Sequence, residues 1–142
     1  MTDWKQRYNE AHREWFSRKY PMAYKDGHYT KPKIPKVNTS NGLTQFVCNY
    51  LMWVNGFGNR INVTGRQING KWIKSATAVG TADITAILPN GKTIFVEIKV
   101  GKDKARPEQL AMQKRIRDIG GCYEFIRDPI EFFIIFDREM NL

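Results

Sequence analysis

Residues 81–100, "TADITAILPNGKTIFVEIKV", decide the fold. Two runs rich in apolar and β-branched residues flank Asn90-Gly91, a dipeptide typical of the tip of a β-hairpin. Alternate residues of a strand share a face, so the aliphatic residues of the second run lie together, at positions 94, 96, 98 and 100. Glu97 and Lys99 therefore project together from the opposite face. The stretch predicts a hairpin with one core face and one face that carries charge.

The charged pair admits two interpretations. On a solvent-facing sheet, Glu97 and Lys99 would form an ion pair that contributes about 0–1 kcal/mol to the free energy of unfolding. In a metal-dependent site, the carboxylate would bind a hard cation such as Mg²⁺ and the lysine would stabilise developing charge on a phosphate. A single carboxylate is a poor magnesium site. Asp83, on the first run of the hairpin, is the candidate for the second carboxylate.

The register of the hairpin decides whether Asp83 can take part. With a strict two-residue loop, Asp83 would lie opposite Ile98 and would point away from Glu97. A three- or five-residue loop would turn it to the face of Glu97, and so would a bulge near Asp83, which Gly80 and the small residues of "AVGTAD" would permit. A metal site on this hairpin requires one of these irregularities.

A helix is predicted to follow the hairpin at "PEQLAMQKRIRDI", with Pro107 in its first turn and a glycine pair after its end. Gln109, in the first turn, can reach back across the sheet. Basic residues cluster around this helix, and two arginines precede the hairpin. Beside a candidate phosphodiester site, we predict that these residues contact DNA: Arg60, Arg66, Lys102, Lys104, Arg106 and Lys114.

The rest of the chain reads as flanking elements. Residues 3–19 predict a helix whose stripe, made of Trp4, Tyr8, Ala11 and Trp15, either stacks on bases or packs against the main domain or a partner subunit; packing is the favoured interpretation. We predict an N-terminal segment over 1–39, which ends in a linker rich in proline and lysine, and a main domain over 40–142.

Within the main domain, the hydrophobic pattern predicts a helix over 41–55, capped by Ser40 or Asn41 and ended by "GFG". Asn69-Gly70 predicts a second hairpin-type turn, after a stretch in which Ile61 and Val63 alternate with polar residues. "CYEFIR" predicts a strand. "DPIEFFIIFDREM" predicts a last helix capped by Asp128, with an edge strand as the alternative.

Composition narrows the classes of function. The chain has 142 residues with 23 basic and 14 acidic side chains, a net charge of +9, which favours a polyanionic partner, namely DNA. The first residues lack the apolar run of a signal peptide, and no run approaches the length of a membrane helix. The two cysteines form no metal-binding or disulfide pattern. We therefore expect a cytoplasmic protein with no membrane association.

The ordered set "GTADI", "VEIK" and "PEQLAMQKRIRDIGGCY" resembles the VRR-NUC branch of the PD-(D/E)xK nucleases, over roughly residues 40–127. The resemblance implies an α/β, restriction-endonuclease-like core, a mixed central β-sheet flanked by helices, to which the N-terminal helix is an addition. It implies that Asp83, Glu97 and the carbonyl of Ile98 bind Mg²⁺, for which Mn²⁺ can substitute. Lys99 would be the catalytic lysine and Gln109 a supporting glutamine. Members of this family often act on branched or flapped DNA.

One departure from the family pattern leaves alternatives open. Such nucleases commonly carry a glutamate on the first core helix, but "NGLTQFVCNYL" contains no acid. Asn41, Thr44 or Gln45 would stand there, and an amide or hydroxyl is the weaker ligand, so metal affinity could fall or a single ion could bind. The leading hypothesis is a Mg²⁺-dependent DNA endonuclease that hydrolyses phosphodiester bonds. The second is a non-catalytic DNA-binding module on the same fold, and the third is an assembly protein of a phage or mobile element. The aromatic stripe of the first helix could also serve a homodimer.

Overall fold

The computed structural model describes residues 3–61, 66–73 and 78–142. Five helices and six strands occur in these ranges. Their bounds are α1 Trp4–Lys19, α2 Pro21–Lys25, α3 Ser40–Trp53, β1 Phe57–Arg60, β2 Arg66–Ile68, β3 Lys71–Ile73, β4 Ile84–Ile87, β5 Thr93–Ile98, α4 Pro107–Asp118, β6 Cys122–Ile126 and α5 Pro129–Met140.

The central sheet has four strands in the order β1-β4-β5-β6. β4 pairs antiparallel with both β1 and β5, whereas β6 runs parallel to β5. Parallel neighbours need a crossover, and α4 provides it between β5 and β6. The predicted α/β fold, a mixed sheet flanked by helices, is confirmed.

The hairpin β4–β5 has an odd-numbered loop. Ile84 pairs with Val96 and Ile87 with Thr93, so residues 88–92 form a five-residue connection. Within it, the N–H of Leu88 donates to the carbonyl of Lys92 at 2.8 Å. This register extends to place Asp83 opposite Glu97, on the same face of the sheet. The strict two-residue loop does not form, and the five-residue alternative does.

The hydrophobic core lies on the other face of the sheet. Ile94, Val96 and Ile98 of β5 are buried there against helices α3 and α5. α1 joins the same core through Tyr8, whose ring stacks on Phe46 with centroids 4.5 Å apart. The interpretation of the aromatic stripe of α1 as a packing surface is confirmed. α4 lies on the opposite face, where Glu97 points.

Two helix boundaries differ from the sequence-based expectation. α3 is capped by Thr39, whose hydroxyl accepts the N–H of Gly42 at 3.0 Å, and not by Ser40 or Asn41. α3 ends at Trp53, ahead of "GFG", because Asn55 adopts a left-handed conformation (φ 66°) that terminates the helix. Two residues of "GFG", Phe57 and Gly58, begin strand β1 instead.

The C-terminal elements follow the expectation more closely. α5 is a helix, so the edge-strand alternative is wrong. Its N-cap is Asp128, whose Oδ1 accepts the N–H of Glu131 at 2.8 Å. In α4, by contrast, the apolar Leu110 is exposed, because the helix turns a polar residue, Gln109, toward the sheet, and Ile119, which follows the helix as its C-cap, is exposed as well.

A second, two-stranded sheet pairs β2 with β3 around Asn69 and Gly70, both with positive φ. The hairpin-type turn predicted there is confirmed. The strand expected around Ile61 and Val63 begins earlier, since β1 covers Phe57–Arg60, and Val63 lies outside the described residues. The short helix α2 was not anticipated. None of the helices in the described ranges has the length and apolar character needed to cross a membrane.

Candidate active site

Two carboxylates meet where β4 begins and β5 ends. Each anchors the other's strand: the N–H of Asp83 donates to Glu97 Oε2 at 3.0 Å, and the N–H of Ile98 donates to Asp83 Oδ2 at 2.8 Å. These two bonds continue the strand pairing beyond Ile84 by using side chains in place of backbone carbonyls. Each carboxylate is therefore held in place by a backbone N–H of the neighbouring strand.

Gln109 reaches this pair from α4. Its Nε2 donates to Glu97 Oε1 at 2.7 Å, and its Oε1 accepts the N–H of Arg106, the N-cap residue, at 2.9 Å. The side chain therefore caps the helix and orients the carboxylate at once. Gln109 is only 8% exposed, so α4 closes one side of the site with an amide.

Lys99 is buried beside the same carboxylate. Its Nζ lies 3.7 Å from Glu97 Oε1 and 3.5 Å from Asp103 Oδ2, and the residue is 2% exposed. A buried ammonium needs such anionic partners to offset its loss of hydration. The loop after β5 is tied down by Arg127, which donates to the carbonyls of Lys99 and Asp103 at 3.2 Å each.

Tyr123 of β6 supports the segment that precedes Asp83. The tyrosine is fully buried, and its hydroxyl donates to the carbonyl of Gly80 at 2.8 Å. Burial, and then the nearby carboxylates of Glu97 and Asp83, raise the pKa of this hydroxyl, so it stays a donor. Gln113 of α4 in turn donates to the carbonyl of Tyr123 at 3.0 Å.

Three of these supporting residues were missed from the sequence: Asp103, Tyr123 and Arg127. Asp103 had a local signal, because it stands four residues after Lys99 and is the acidic residue among the three basic ones of "GKDKAR". Tyr123 and Arg127 had none, because their contacts join segments that only the fold brings together.

The electrostatics of the site disfavour a charged Glu97. Burial and the neighbouring Asp83 carboxylate raise the pKa of Glu97 to about 7, and Lys99 opposes this shift only in part. Lys99 is paired with Glu97 and with Asp103, so the adjacent carboxylates of Asp83 and Glu97 leave a net negative charge in a partly buried place. A cation bound between them would relieve the repulsion.

The donor set fits a hard divalent cation. Asp83 and Glu97 supply carboxylate oxygens, and Asp83 Oδ1 accepts no hydrogen bond from the described residues. Each carboxylate oxygen has two lone pairs, so the bonds already present leave capacity for a ligand. Two carboxylates plus water molecules is a usual environment for Mg²⁺. The role predicted for the Ile98 carbonyl stays a prediction.

The first core helix supplies no further acid. Thr44 is buried and donates to the carbonyl of Ser40 at 2.8 Å, whereas Asn41 and Gln45 are exposed. Within residues 3–61, 66–73 and 78–142, no group of three or more His, Cys, Asp or Glu side chains is arranged to hold a metal ion. The site therefore rests on two carboxylates.

The structure separates the residues predicted to contact DNA. Lys102, Lys104 and Arg106 are exposed on the loop between Lys99 and Gln109, next to the site. Lys114 is exposed on α4, where it pairs with Asp118 at 2.6 Å. Arg60 is exposed at the end of β1 and pairs with Ile84, which puts it on the side of the sheet that α3 covers. The side chain of Arg66 lies outside the described residues.

Comparison with known proteins gives one likeness. No protein-family model matches the chain, and no curated protein matches it. Among solved structures, the chain is similar to one described as "VRR_NUC domain", a description that names the family its motif resembles. The two share 23% sequence identity and a TM-score of 0.47, over 72% of this chain and 96% of that one.

Proposed function

We propose that this protein is a metal-dependent nuclease of the VRR-NUC type that hydrolyses phosphodiester bonds in DNA. The observation that carries the proposal is the convergence of Asp83, Glu97 and Lys99 on one face of the β4–β5 hairpin. Gln109 joins them from α4, with its amide 2.7 Å from Glu97. Two carboxylates that can hold a metal ion, beside one ammonium that can stabilise developing charge, suit phosphoryl-transfer chemistry.

Each residue then has a role that its contacts support. Asp83 and Glu97 hold the divalent cation, which, when bound, polarises a phosphate oxygen and lowers the pKa of a water molecule. Gln109 holds Glu97 Oε1 in place by its hydrogen bond. Lys99 presents an ammonium to the phosphate, where it stabilises the negative charge that grows in the transition state. Asp103, 3.5 Å from Nζ, orients this ammonium.

The basic loop after β5 suits a nucleic-acid backbone. Lys102, Lys104 and Arg106 are exposed between two residues of the site, Lys99 and Gln109. A net charge of +9 on 142 residues would strengthen the attraction and make it dependent on salt. We propose that this loop contacts phosphates beside the scissile bond and that the preferred DNA is branched or flapped.

A cleavage panel tests the proposal. Wild-type protein is incubated with linear, flapped and branched DNA in Mg²⁺, Mn²⁺ or EDTA. We expect cutting in either metal and none in EDTA. Asp83→Asn and Lys99→Ala should each lower the cleavage rate by at least about 100-fold, the range for loss of one group that stabilises a transition state.

Lys92→Ala is the matched control for Lys99→Ala. Lys92 lies on the β4–β5 loop, where its ammonium is 3.8 Å from Glu139, and the substitution removes the same charge. It should cut like wild type. A co-purified nuclease would cleave DNA in every preparation, so a rate that is lost only in the site variants excludes such a contaminant. Undiminished cleavage by folded Asp83→Asn and Lys99→Ala proteins would rule out this site.

The lack of an acid on α3 favours a second candidate function, a DNA-binding module without catalysis. Two carboxylates are the acidic ligands that the described residues supply, and such a site would bind a metal too weakly for turnover if no further ligand joined it. The same panel separates the two functions. Binding of DNA by wild type without any metal-dependent cutting would support the module.

A further inference from the structure

Among the described elements, the hairpin β2–β3 contacts no other helix or strand. Three residue pairs join its strands, β2 and β3, to each other, and the described part of the chain offers neither strand another packing partner among the helices and strands. An isolated two-stranded hairpin is marginally stable in water. Contact with another molecule would stabilise a hairpin that has no such packing partner.

Trp72 is the main feature of this hairpin. It is 64% exposed, in contrast to Trp53, which is 6% exposed in the core. Trp72 pairs with Gln67, so an amide lies beside the indole on one face of the ribbon. A large flat apolar ring held on exposed β-structure offers a surface on which a nucleic-acid base can stack.

The residues that flank the insertion carrying this hairpin, Ile61 and Asp83, meet at the candidate active site. The N–H of Ile61 donates to the carbonyl of Asp83 at 2.7 Å, so the two ends of the insertion meet beside a proposed metal ligand. Eleven residue steps separate Trp72 from Asp83, which limits their separation to about 36–40 Å. That limit is roughly one turn of B-form DNA. One DNA molecule can therefore contact both.

The charge of this insertion suits a polyanion. Between positions 61 and 82 the sequence contains three basic residues and no acidic one. The three are Arg66, Lys71 and Lys74. Lys71 precedes Trp72 on β3 and projects from the opposite face of the ribbon, so it adds to the attraction of the hairpin for a phosphate backbone without occupying the face on which a base would stack.

We propose that Trp72 is a specificity residue that stacks on an unpaired base of the DNA, while the site of Asp83, Glu97, Lys99 and Gln109 acts on the backbone nearby. The inference rests on the proposed nuclease function and deepens it. It selects DNA in which a single-stranded segment adjoins a duplex, because a base that is paired and stacked has no free face for the indole.

The test measures binding in EDTA, where cleavage cannot interfere. Two DNAs share one duplex, and the second adds a single-stranded extension that contains 2-aminopurine, whose fluorescence falls on stacking. Wild type should quench it. Trp72→Ala should abolish the quenching and weaken binding to the extended DNA by roughly five- to 150-fold, the range of base stacking on aromatic side chains. Binding to the plain duplex should change less than twofold.

Trp72→Phe keeps an aromatic ring and should restore most of the quenching. Tyr24→Ala, which removes a 39% exposed aromatic from α2, is the control and should behave as wild type. Trp72 is exposed, so its replacement should leave the melting temperature unchanged. Equal binding by wild type and Trp72→Ala, or equal losses on both DNAs, overturns the proposal.

Two outcomes keep this inference and the nuclease proposal apart. Quenching by wild type without metal-dependent cleavage would reject the nuclease and leave the stacking role intact. If Trp72→Ala cleaves both DNAs at the wild-type rate, the stacking role is rejected and the nuclease proposal stands. Sedimentation checks a third result: if Trp72→Ala alters the oligomeric state and not the fluorescence, the indole belongs to an interface between copies and the proposal fails.

Discussion

Glu97 is buried beside the carboxylate of Asp83, and both its burial and that neighbour raise its pKa to about 7. Without a cation, the two carboxylates repel each other in a place where water screens them poorly. Lys99 offsets part of this repulsion, and Asp103 competes for the same ammonium. The site residues therefore lower the stability of the metal-free fold, a common cost of functional groups.

This repulsion predicts the effect of Asp83→Asn on stability. The asparagine can still accept the N–H of Ile98 through its amide oxygen, while the charge opposite Glu97 disappears. In EDTA we expect a melting temperature above that of wild type, by about 2–4 °C for each kcal/mol of repulsion removed. Differential scanning calorimetry measures this shift directly.

Mg²⁺ should reverse the order of the two melting temperatures, so that wild type melts above Asp83→Asn. A ligand that binds only the folded state at 100 times its Kd adds about 2.7 kcal/mol to the free energy of unfolding, so wild type should gain stability in Mg²⁺ and Asp83→Asn should not. Asp118→Asn, which alters an exposed carboxylate on α4, should respond to Mg²⁺ as wild type does. An undiminished Mg²⁺ response of Asp83→Asn would show that Asp83 is not a ligand.

Single residues of the site differ in how far the sequence reveals them. Period-two alternation was enough to put Glu97 and Lys99 on one face, because a strand has only two faces. Tyr123 gave no sign of its bond to Gly80, since 43 residues separate the partners. Contacts of that kind depend on how β6 lies beside β5, which no local pattern encodes.

At the scale of elements, the loop of the β4–β5 hairpin determines the site. Asn90-Gly91 correctly marked the turn, but a dipeptide does not fix the number of residues in a loop. The five-residue connection puts Asp83 opposite Glu97, whereas a two-residue loop would have turned it to the core. The existence of the hairpin was predictable, and its register required the structure.

The segment before β4 packs closely on α4 at Gly80. This glycine has φ +85°, and a Cβ built there would lie 2.4 Å from the carbonyl oxygen of Glu108. That atom belongs to the helix backbone, so it cannot move aside without shifting the first turn, which carries Gln109. The contact explains how α4 and the Asp83 segment keep a fixed distance.

Gly80→Ala should therefore destabilise the protein more than its backbone conformation alone requires. Gly91→Ala is the matched control, because Gly91 also has φ +85° but has nothing within 4 Å of its Cβ position. We expect Gly91→Ala to cost about 1–2 kcal/mol of the free energy of unfolding, measured in urea, and Gly80→Ala to cost more. Gly80→Ala should also impair Mg²⁺-dependent cleavage. Equal losses of stability for the two variants would argue against the contact with α4.

At the scale of the whole molecule, α1 and the site lie on opposite faces of one sheet. The helical stripe of aromatic residues predicted a packing surface, and the structure shows what it packs against: Tyr8 contacts Phe46 and Trp53 of α3. Arg7 fastens the same helix to α5 by donating to both oxygens of the Asp137 carboxylate. The sequence could not name these partners, because α3 and α5 follow α1 by tens of residues.

Tyr8 provides the test of this arrangement, because α1 contributes to stability from a place remote from the candidate active site. Tyr8→Ala removes a fully buried ring and should lower the free energy of unfolding by about 3–5 kcal/mol, as measured by urea denaturation. Tyr8→Phe loses only the hydrogen bond that Asn49 donates to the hydroxyl at 3.2 Å, and should cost about 0.5–1.5 kcal/mol. Since distant substitutions have additive effects, both variants should keep the wild-type increment of stability in Mg²⁺. A loss below about 1 kcal/mol for Tyr8→Ala would mean that α1 does not share the core, and a lost Mg²⁺ response in a folded Tyr8→Phe protein would mean that the two faces of the sheet are coupled.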